Sequence, residues 1–168
     1  MVDPAHLEVP TEPGTIVAGA TDTGPTDLGP DAGYTVVGGG ATDRFECVLD
    51  TVPLDPRAPG TILVLRMAGE IDLSTQRGMQ SALRAGLHAR PRHLLVDLSR
   101  VGFCGVRAFS MLNQSARTAA EHQIDYALCG LSVHLERVAT TLWGSAGPNR
   151  HRSTAEAVTM LRAAHAQR

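Results

Sequence analysis

The sequence predicts an α/β fold in which four to five strands form one sheet and about four helices pack on it. Short apolar segments of strand length alternate along the chain with longer segments whose apolar residues recur every three or four positions. Strands that alternate with helices pair in parallel through right-handed crossovers, which places the helices on the sheet. The chain has 168 residues, enough for one domain with a core and too few for two large ones.

The first 43 residues differ in composition from the rest of the chain. Residues 1–43 contain seven acidic residues and no Arg or Lys, and they are rich in Pro, Gly and Thr. Residues 44–168 contain all 15 basic residues and ten acidic ones. Because apolar side chains are scarce in the first segment, burial offers little to offset the entropy lost on ordering. We therefore predict a flexible acidic tail over 1–43, either a solvated extension or a contact for a partner, and one domain over 44–168.

The first two strands of the domain are expected on either side of a proline-rich break. Residues 45–50 alternate between apolar and polar side chains, as in a half-buried strand. Residues 61–67 are almost entirely apolar, which predicts a strand buried on both faces. The segment 69–72 then turns the chain, and Ser74 is the predicted N-cap of a helix. The apolar stripe of that helix is formed by Met79, Leu83 and Leu87.

The second half of the domain continues the alternation of strands and helices. Strands are predicted at 93–98 and 126–129. The first is followed by a helix that begins near Gly105, and the second by a helix capped by Ser132. A short edge strand near 149–152 precedes the last helix, whose start carries the capping-box pair Ser153 and Glu156. The inward residues of these three helices are, in chain order, Phe109, Leu112, Ala116 and Ala119; Leu135, Val138, Ala139 and Leu142; and Ala157, Leu161 and Ala164.

Composition and motifs exclude several classes of function. The domain carries a modest positive charge without a dense Arg cluster among aromatic residues, so nucleic-acid binding is not expected. No signal peptide and no apolar run of membrane-spanning length is visible, so we expect a cytoplasmic protein that contacts no membrane. There is no phosphate-binding glycine loop, no nucleophile elbow, and no His, Cys and carboxylate set at metal-ligand spacing. The sequence therefore predicts a protein without catalytic residues, metal or cofactor.

Four segments, taken in their order and spacing, resemble the STAS domain of bacterial anti-sigma factor antagonists. They lie at 65–72, which includes Gly-Glu-Ile-Asp, and at 94–103, 129–133 and 153–158. The resemblance spans about residues 44–166. It implies a STAS fold with a mixed sheet. It also implies a non-enzymatic monomer or weak homodimer that binds an anti-sigma factor of the kinase-type ATPase class and so releases a sigma factor.

The same resemblance implies where the partner binds. In this family the contact surface includes the Gly-Glu-x-Asp turn and the start of the helix after a loop that carries an Asp-Ser-Ser-Gly motif. The second Ser of that motif is phosphorylated. Here Gly105-Val106-Arg107-Ala108 occupies the motif, with Arg107 at the phosphorylated position, so phosphorylation there is not expected. The expected partner-binding residues are Gly69, Asp72, Phe103, Gly105, Val106, Arg107, Ala108, Phe109 and Ser110.

The Arg at this position sits where the helix dipole favours anions, because Arg107 lies in the first helical turn. Either Asp72 in the adjacent turn or a carboxylate on a partner pairs with it, or the side chain simply extends into water. Ser110 is the nearest hydroxyl and the alternative phosphosite, although a helix interior is a poor kinase substrate.

Two cysteines and one carboxylate near the strand ends also have two interpretations each. If the strands that end near Cys104 and Cys129 are neighbours, their thiols form a regulatory disulfide, provided that the two Cα atoms approach within about 7 Å. The alternative is that both are core residues. The helix N-terminus is expected to lower the pKa of Cys104. Asp97 is expected to accept hydrogen bonds from loop N–H groups rather than to act chemically.

These observations together predict a regulator of transcription that resembles an anti-sigma factor antagonist. It would act without phosphorylation at the usual serine position, under control of its abundance, a partner or its thiol state. The alternative is a STAS-type ligand-sensing or scaffold subunit of a signalling assembly.

Overall fold

The computed structural model describes residues 15–17, 34–37, 45–55 and 58–167. In these ranges the strands form one mixed sheet, and their spatial order equals their order along the chain. β2 and β3 pair antiparallel, as do β3 and β4, and every other neighbouring pair is parallel. The strands are β1 Thr15–Val17, β2 Tyr34–Val37, β3 Phe45–Asp55, β4 Ala58–Ile71, β5 His93–Cys104, β6 Asp125–Cys129 and β7 Asn149–His151.

Five of these strands, β3 to β7, are the ones that the sequence predicts, and the mixed sheet is confirmed. Within residues 1–43 the structure describes two short strands, since β1 pairs with β2 and β2 pairs with β3. The remainder of the predicted tail lies outside the described residues. β4 differs from the prediction, since it continues to Ile71 with a register shift at Gly69 instead of turning there.

The four helices follow the predicted alternation with the strands, and three of them begin near the predicted residue. They are α1 Gln76–His88, α2 Val106–Glu121, α3 Val133–Trp143 and α4 Thr154–Ala166. Ser132 caps α3 by accepting a hydrogen bond from the Leu135 N–H at 3.3 Å. Ser153 caps α4 by accepting one from the Glu156 N–H at 3.1 Å. The Ser74 cap is wrong, because Thr75 occupies the N-cap of α1 and makes no side-chain cap bond.

The helices cover the two faces of the sheet unequally. α1, α2 and α3 pack on one face, where their largest buried residues are Met79, Leu83, Phe109, Leu112 and Leu135. On the other face α4 buries Ala157 and Val158 against Ile62, Val64 and Leu95. Because β4 and β5 are covered on both faces, each contains a continuous apolar run, at 62–65 in β4 and at 94–96 in β5. Two helical residues predicted to face inward, Leu142 and Ala164, are exposed.

One glycine allows a close approach between β5 and the end of β6. Gly130 has a φ of +72°, and a Cβ built on it would lie 2.7 Å from the Cβ of Ser99. A side chain at this position would therefore clash and also be strained. The close contact fixes the end of β6 beside Ser99, whereas β5 continues beyond it to Cys104.

Candidate functional site

The Asp72 carboxylate organises the turn between β4 and α1. Its Oδ1 accepts hydrogen bonds from the Ser74 N–H at 2.8 Å, the Ser74 hydroxyl at 2.6 Å and the Thr75 N–H at 3.1 Å. The bond from the Ser74 hydroxyl, followed by those from the Thr75 and Ser74 amides, holds the pKa of this carboxyl below its ordinary value. The Thr75 hydroxyl donates to the Glu70 carbonyl at 2.9 Å, which closes the turn. Asp72 is therefore an ordered anion that shapes its own turn.

The loop before α2 is tied to the end of β4. Phe103 and Cys104 pair with Glu70 and Ile71, and the Gly105 N–H donates to the Ile71 carbonyl at 2.9 Å. The turn that contains Asp72 and the first turn of α2 consequently lie side by side at the carboxyl edge of the sheet. This is the juxtaposition that the sequence comparison with the STAS family implies.

Three large apolar side chains are exposed at this edge. Leu73 is 73% exposed, Phe103 is 49% exposed and Val106 is 63% exposed. They lie at or just beyond the ends of two paired strands, β4 and β5, and we call them the junction patch. Exposed apolar residues that are grouped in this way are typical of an interaction surface.

The residues predicted to bind a partner separate into an outward and an inward set. Arg107 and Ser110 are exposed beside the junction patch, and the Ser110 hydroxyl donates to the Val106 carbonyl at 3.3 Å. Ala108 and Phe109 are buried, and the Phe109 ring packs edge-on against Trp143 with 5.4 Å between ring centroids. The prediction that Ala108 and Phe109 contact a partner directly is wrong, because the helical period turns them into the core.

Arg107 makes no hydrogen bond or ion pair with any side chain in the part of the chain that the structure describes. The predicted pair with Asp72 is absent, because that carboxylate is bonded within its own turn. The N-cap of α2 is Gly105, which offers no side-chain cap, and the first turn of α2 contains no acidic residue. The guanidinium thus extends outward from a helix end that itself favours anions.

The predicted disulfide between Cys104 and Cys129 does not fit the fold. Cys129 pairs with Asp97, and Cys104 lies seven residues farther along β5. At a rise of about 3.3 Å per residue this separates the two thiols by about 20 Å. They also belong to the cores on opposite faces of the sheet. The two strands are neighbours, but β5 is too long for their ends to meet.

Burial also removes the predicted reactivity of these thiols. It raises the pKa of Cys104 to about 12, against the lowering expected from the helix N-terminus. Burial, with the nearby Asp97 carboxylate, raises the pKa of Cys129 to about 12. Both cysteines therefore remain protonated core residues at neutral pH.

Asp97 forms a buried polar cluster that connects the sheet to α4. Asp97 is 7% exposed, and its Oδ2 accepts a hydrogen bond from the Thr154 hydroxyl at 2.8 Å. Its Oδ1 accepts one from the Ser99 N–H at 2.9 Å. Arg66 places Nη1 3.5 Å from the same carboxylate and Nε 2.7 Å from Asp50. Burial works against ionisation, but the Ser99 and Thr154 bonds and the Arg66 charge outweigh it and lower the pKa of Asp97.

Among the described residues, no group of three or more His, Cys, Asp or Glu side chains is arranged to hold a metal ion. Within the same ranges, no helix has the length and apolar character needed to cross a membrane.

Comparison with known proteins gives a family for this arrangement of a sheet, an exposed turn and a helix N-terminus. Residues 55–142 match the family model described as Mlab, STAS domain, which covers just over half of the chain. The chain belongs to the STAS family. The sequence-based assignment to this family is thereby confirmed.

Solved structures with the same fold include proteins of this family at low sequence identity. An anti-sigma factor antagonist from Mycobacterium paratuberculosis is 22% identical with a TM-score of 0.58, covering 73% of this chain and 97% of that chain. A variant of RsbS from Moorella thermoacetica is 13% identical with a TM-score of 0.54, covering 70% of this chain and 97% of that chain. SpoIIAA, an anti-sigma factor antagonist in its unphosphorylated form, is 15% identical with a TM-score of 0.50, covering 68% and 97%. No curated protein matches the chain significantly. These likenesses show the STAS fold.

Proposed function

We propose that this STAS protein is an anti-sigma factor antagonist that binds an anti-sigma factor and so releases a sigma factor to transcription. The observation that carries the proposal is the junction patch, where Leu73, Phe103 and Val106 are exposed beside the Asp72 turn. That place corresponds to the contact surface implied by the resemblance to the family. The protein would act as a binding module and not as an enzyme.

The same surface supports regulation without phosphorylation at position 107. A guanidinium accepts no phosphoryl group, and Arg107 stands where the family motif carries its phosphorylated serine. The partner we expect therefore presents an apolar surface with a carboxylate opposite Arg107, because the positive charge of Arg107 is the reverse of the charge that a phosphoserine would carry at this position. Ser110 is a poor substitute because its hydroxyl is bonded within α2.

A two-hybrid and co-purification screen against every anti-sigma factor ATPase of the host tests this proposal. We expect one ATPase to bind the full chain and to lose at least about tenfold in affinity with Phe103→Ala, since an exposed aromatic anchor of an interface contributes at least this much. Met160→Ala is the matched control, because Met160 is 55% exposed on α4, which covers the opposite face of the sheet. Binding that is absent, or equally weakened by both substitutions, would contradict the proposal.

Phosphorylation is tested separately with the ATPase that the screen identifies. Incubated with ATP, the chain should gain no phosphate in the peptide that contains Arg107 and Ser110, whereas Arg107→Ser restores an acceptor hydroxyl. Mass spectrometry that finds phosphate on Ser110 of the unmodified chain would overturn this part and leave partner binding standing.

A further inference from the structure

A groove of about 540 Å³ lies between the second half of α2 and the loop that joins α3 to β7. It is at the opposite end of α2 from the junction patch, and the two share no residue. Its volume is in the range of small-molecule sites. Tyr126 of β6 lies along it, together with small apolar residues of α2.

Polar side chains without partners converge on this groove. Asn113 and Arg117 come from α2, Gln123 follows that helix, and Asn149 begins β7. Within the described part of the chain, none of these four side chains makes a hydrogen bond or an ion pair. Three amides and one guanidinium are therefore available to a ligand at one place.

The groove carries one charge of each sign. Arg117 is the cation, and Asp125 is the anion. The Asp125 carboxylate is 71% exposed, and its Oδ2 lies 3.1 Å from Nδ1 of buried His93. A ligand that suits both charges needs an anionic group for Arg117 and a cationic group for Asp125.

A residue that lines the groove also carries a buried hydroxyl. Tyr126 is 7% exposed, and its hydroxyl has no hydrogen-bond partner among the described residues. Burial raises the pKa of this phenol well above its ordinary value, so it remains a neutral donor and acceptor. An unpaired buried hydroxyl is costly to folding, and a polar ligand that reached it from the groove would offset that cost.

We propose that this groove binds a small zwitterion that carries an α-ammonium and a carboxylate group, such as a free amino acid or a short peptide. Arg117 holds the carboxylate and Asp125 holds the ammonium group. The amides of Asn113, Gln123 and Asn149 bind the polar atoms between them. The site is independent of the anti-sigma factor proposal, since it uses other side chains, and it gives the ligand-sensing alternative a definite ligand class.

The site is tested by adding each of the twenty amino acids and a panel of dipeptides to the full chain. The unfolding temperature and the amide chemical shifts are measured with each probe. We expect at least one probe to raise the unfolding temperature and to shift amides that line the groove. Its deaminated acid and its decarboxylated amine should each bind at least about tenfold more weakly, because each loses one charge-assisted contact. A panel that produces no shift, or an acid that binds as tightly as the zwitterion, would overturn the proposal.

Two substitutions and a control connect any binding to the groove. Arg117→Gln and Asp125→Asn should each lower the affinity for the probe by about tenfold or more. Both positions are exposed, so the fold should tolerate the substitutions. Arg137→Gln removes an exposed guanidinium from α3 outside the groove and should leave the affinity unchanged. Equal loss in all three variants would show a general charge effect and contradict the site.

Discussion

At the junction between β5 and α2, apolar side chains on the outward side are exposed, whereas those on the inward side are buried. Phe103, on the outward side, is 49% exposed, whereas Phe109, on the inward side, is 1% exposed and packs against Trp143. Only six positions separate these two rings in the sequence. The outward side therefore leaves apolar area in water, and the inward side removes it.

This difference shows that, within one short segment, the exposed side chains are available for partner binding and the buried side chains stabilise the fold. An exposed apolar side chain contributes little to folding but gains when a partner covers it. A buried one contributes both transfer and packing free energy to folding. The same contrast holds for the carboxylates, since Asp72 shapes an exposed turn while Asp97 ties a buried cluster together.

The largest expected effect is on the inward side. Phe109→Ala should lower the free energy of unfolding by about 3–5 kcal/mol, because it leaves a cavity beside Trp143 in the core. Denaturant unfolding measures this loss. Phe103→Ala should change stability by less than about 0.5 kcal/mol, since a surface residue is removed. Comparable losses in both variants would remove the distinction between the two sides.

The next effect concerns the buried cluster. Asp97→Ala should lower the free energy of unfolding by about 1.5–3 kcal/mol, because Thr154, Ser99 and Arg66 lose a charged acceptor. Asp50→Ala removes the more exposed partner of the same Arg66 and should cost less than about 1 kcal/mol. Thermal or denaturant unfolding of both variants gives the comparison, and an equal cost would mean that burial of Asp97 is unimportant.

The pH dependence of stability follows from the same carboxylate. The folded-state pKa of Asp97 is lowered, so its stabilisation is complete above the unfolded pKa of about 3.9 and is lost as the pH falls through the folded pKa. Unfolding measured from pH 6 downward should therefore show a smaller acid loss in Asp97→Ala than in the unmodified chain. An identical pH profile would contradict the role of this group.

The smallest expected effect is at the outward end of α2. Arg107→Glu should raise the free energy of unfolding by about 0.3–1 kcal/mol, because a carboxylate suits the helix N-terminus better than a guanidinium does. The same substitution should weaken binding of the anti-sigma factor, because the partner's carboxylate would then face a like charge. Unfolding and binding measured on one preparation test both signs, and improved binding would contradict the expected partner charge.

Much of the fold could be predicted because the spacing of apolar residues within a short segment depends on which side chains that segment buries. The alternation at β3, the apolar runs of β4 and β5, and the caps at Ser132 and Ser153 each identified an element. The position of the candidate site came from the family resemblance. The resemblance did not separate the exposed residues of the site from the buried ones. The helical period, however, already placed Phe109 among the inward residues of α2.

Other sequence predictions were wrong because they depend on distances between residues that are far apart in the chain. Of the two alternatives for Cys104 and Cys129, the disulfide is wrong because β5 continues seven residues beyond the partner of Cys129, and the core position is the one observed. The proposed Arg107–Asp72 pair failed because the turn itself satisfies the carboxylate. The groove beside α2 was missed because its side chains come from three separate segments and follow no motif.

By itself the sequence determined the α/β class, the order of the elements in the domain and the absence of a hydroxyl at position 107, since these depend on residue type and short-range spacing. Only the tertiary structure decided which side chains meet, because strand register and strand length place residues that are far apart in the chain. It joined the Ile71 carbonyl to the Gly105 amide and exposed the junction patch. It also brought Arg117 and Asp125 to the same groove.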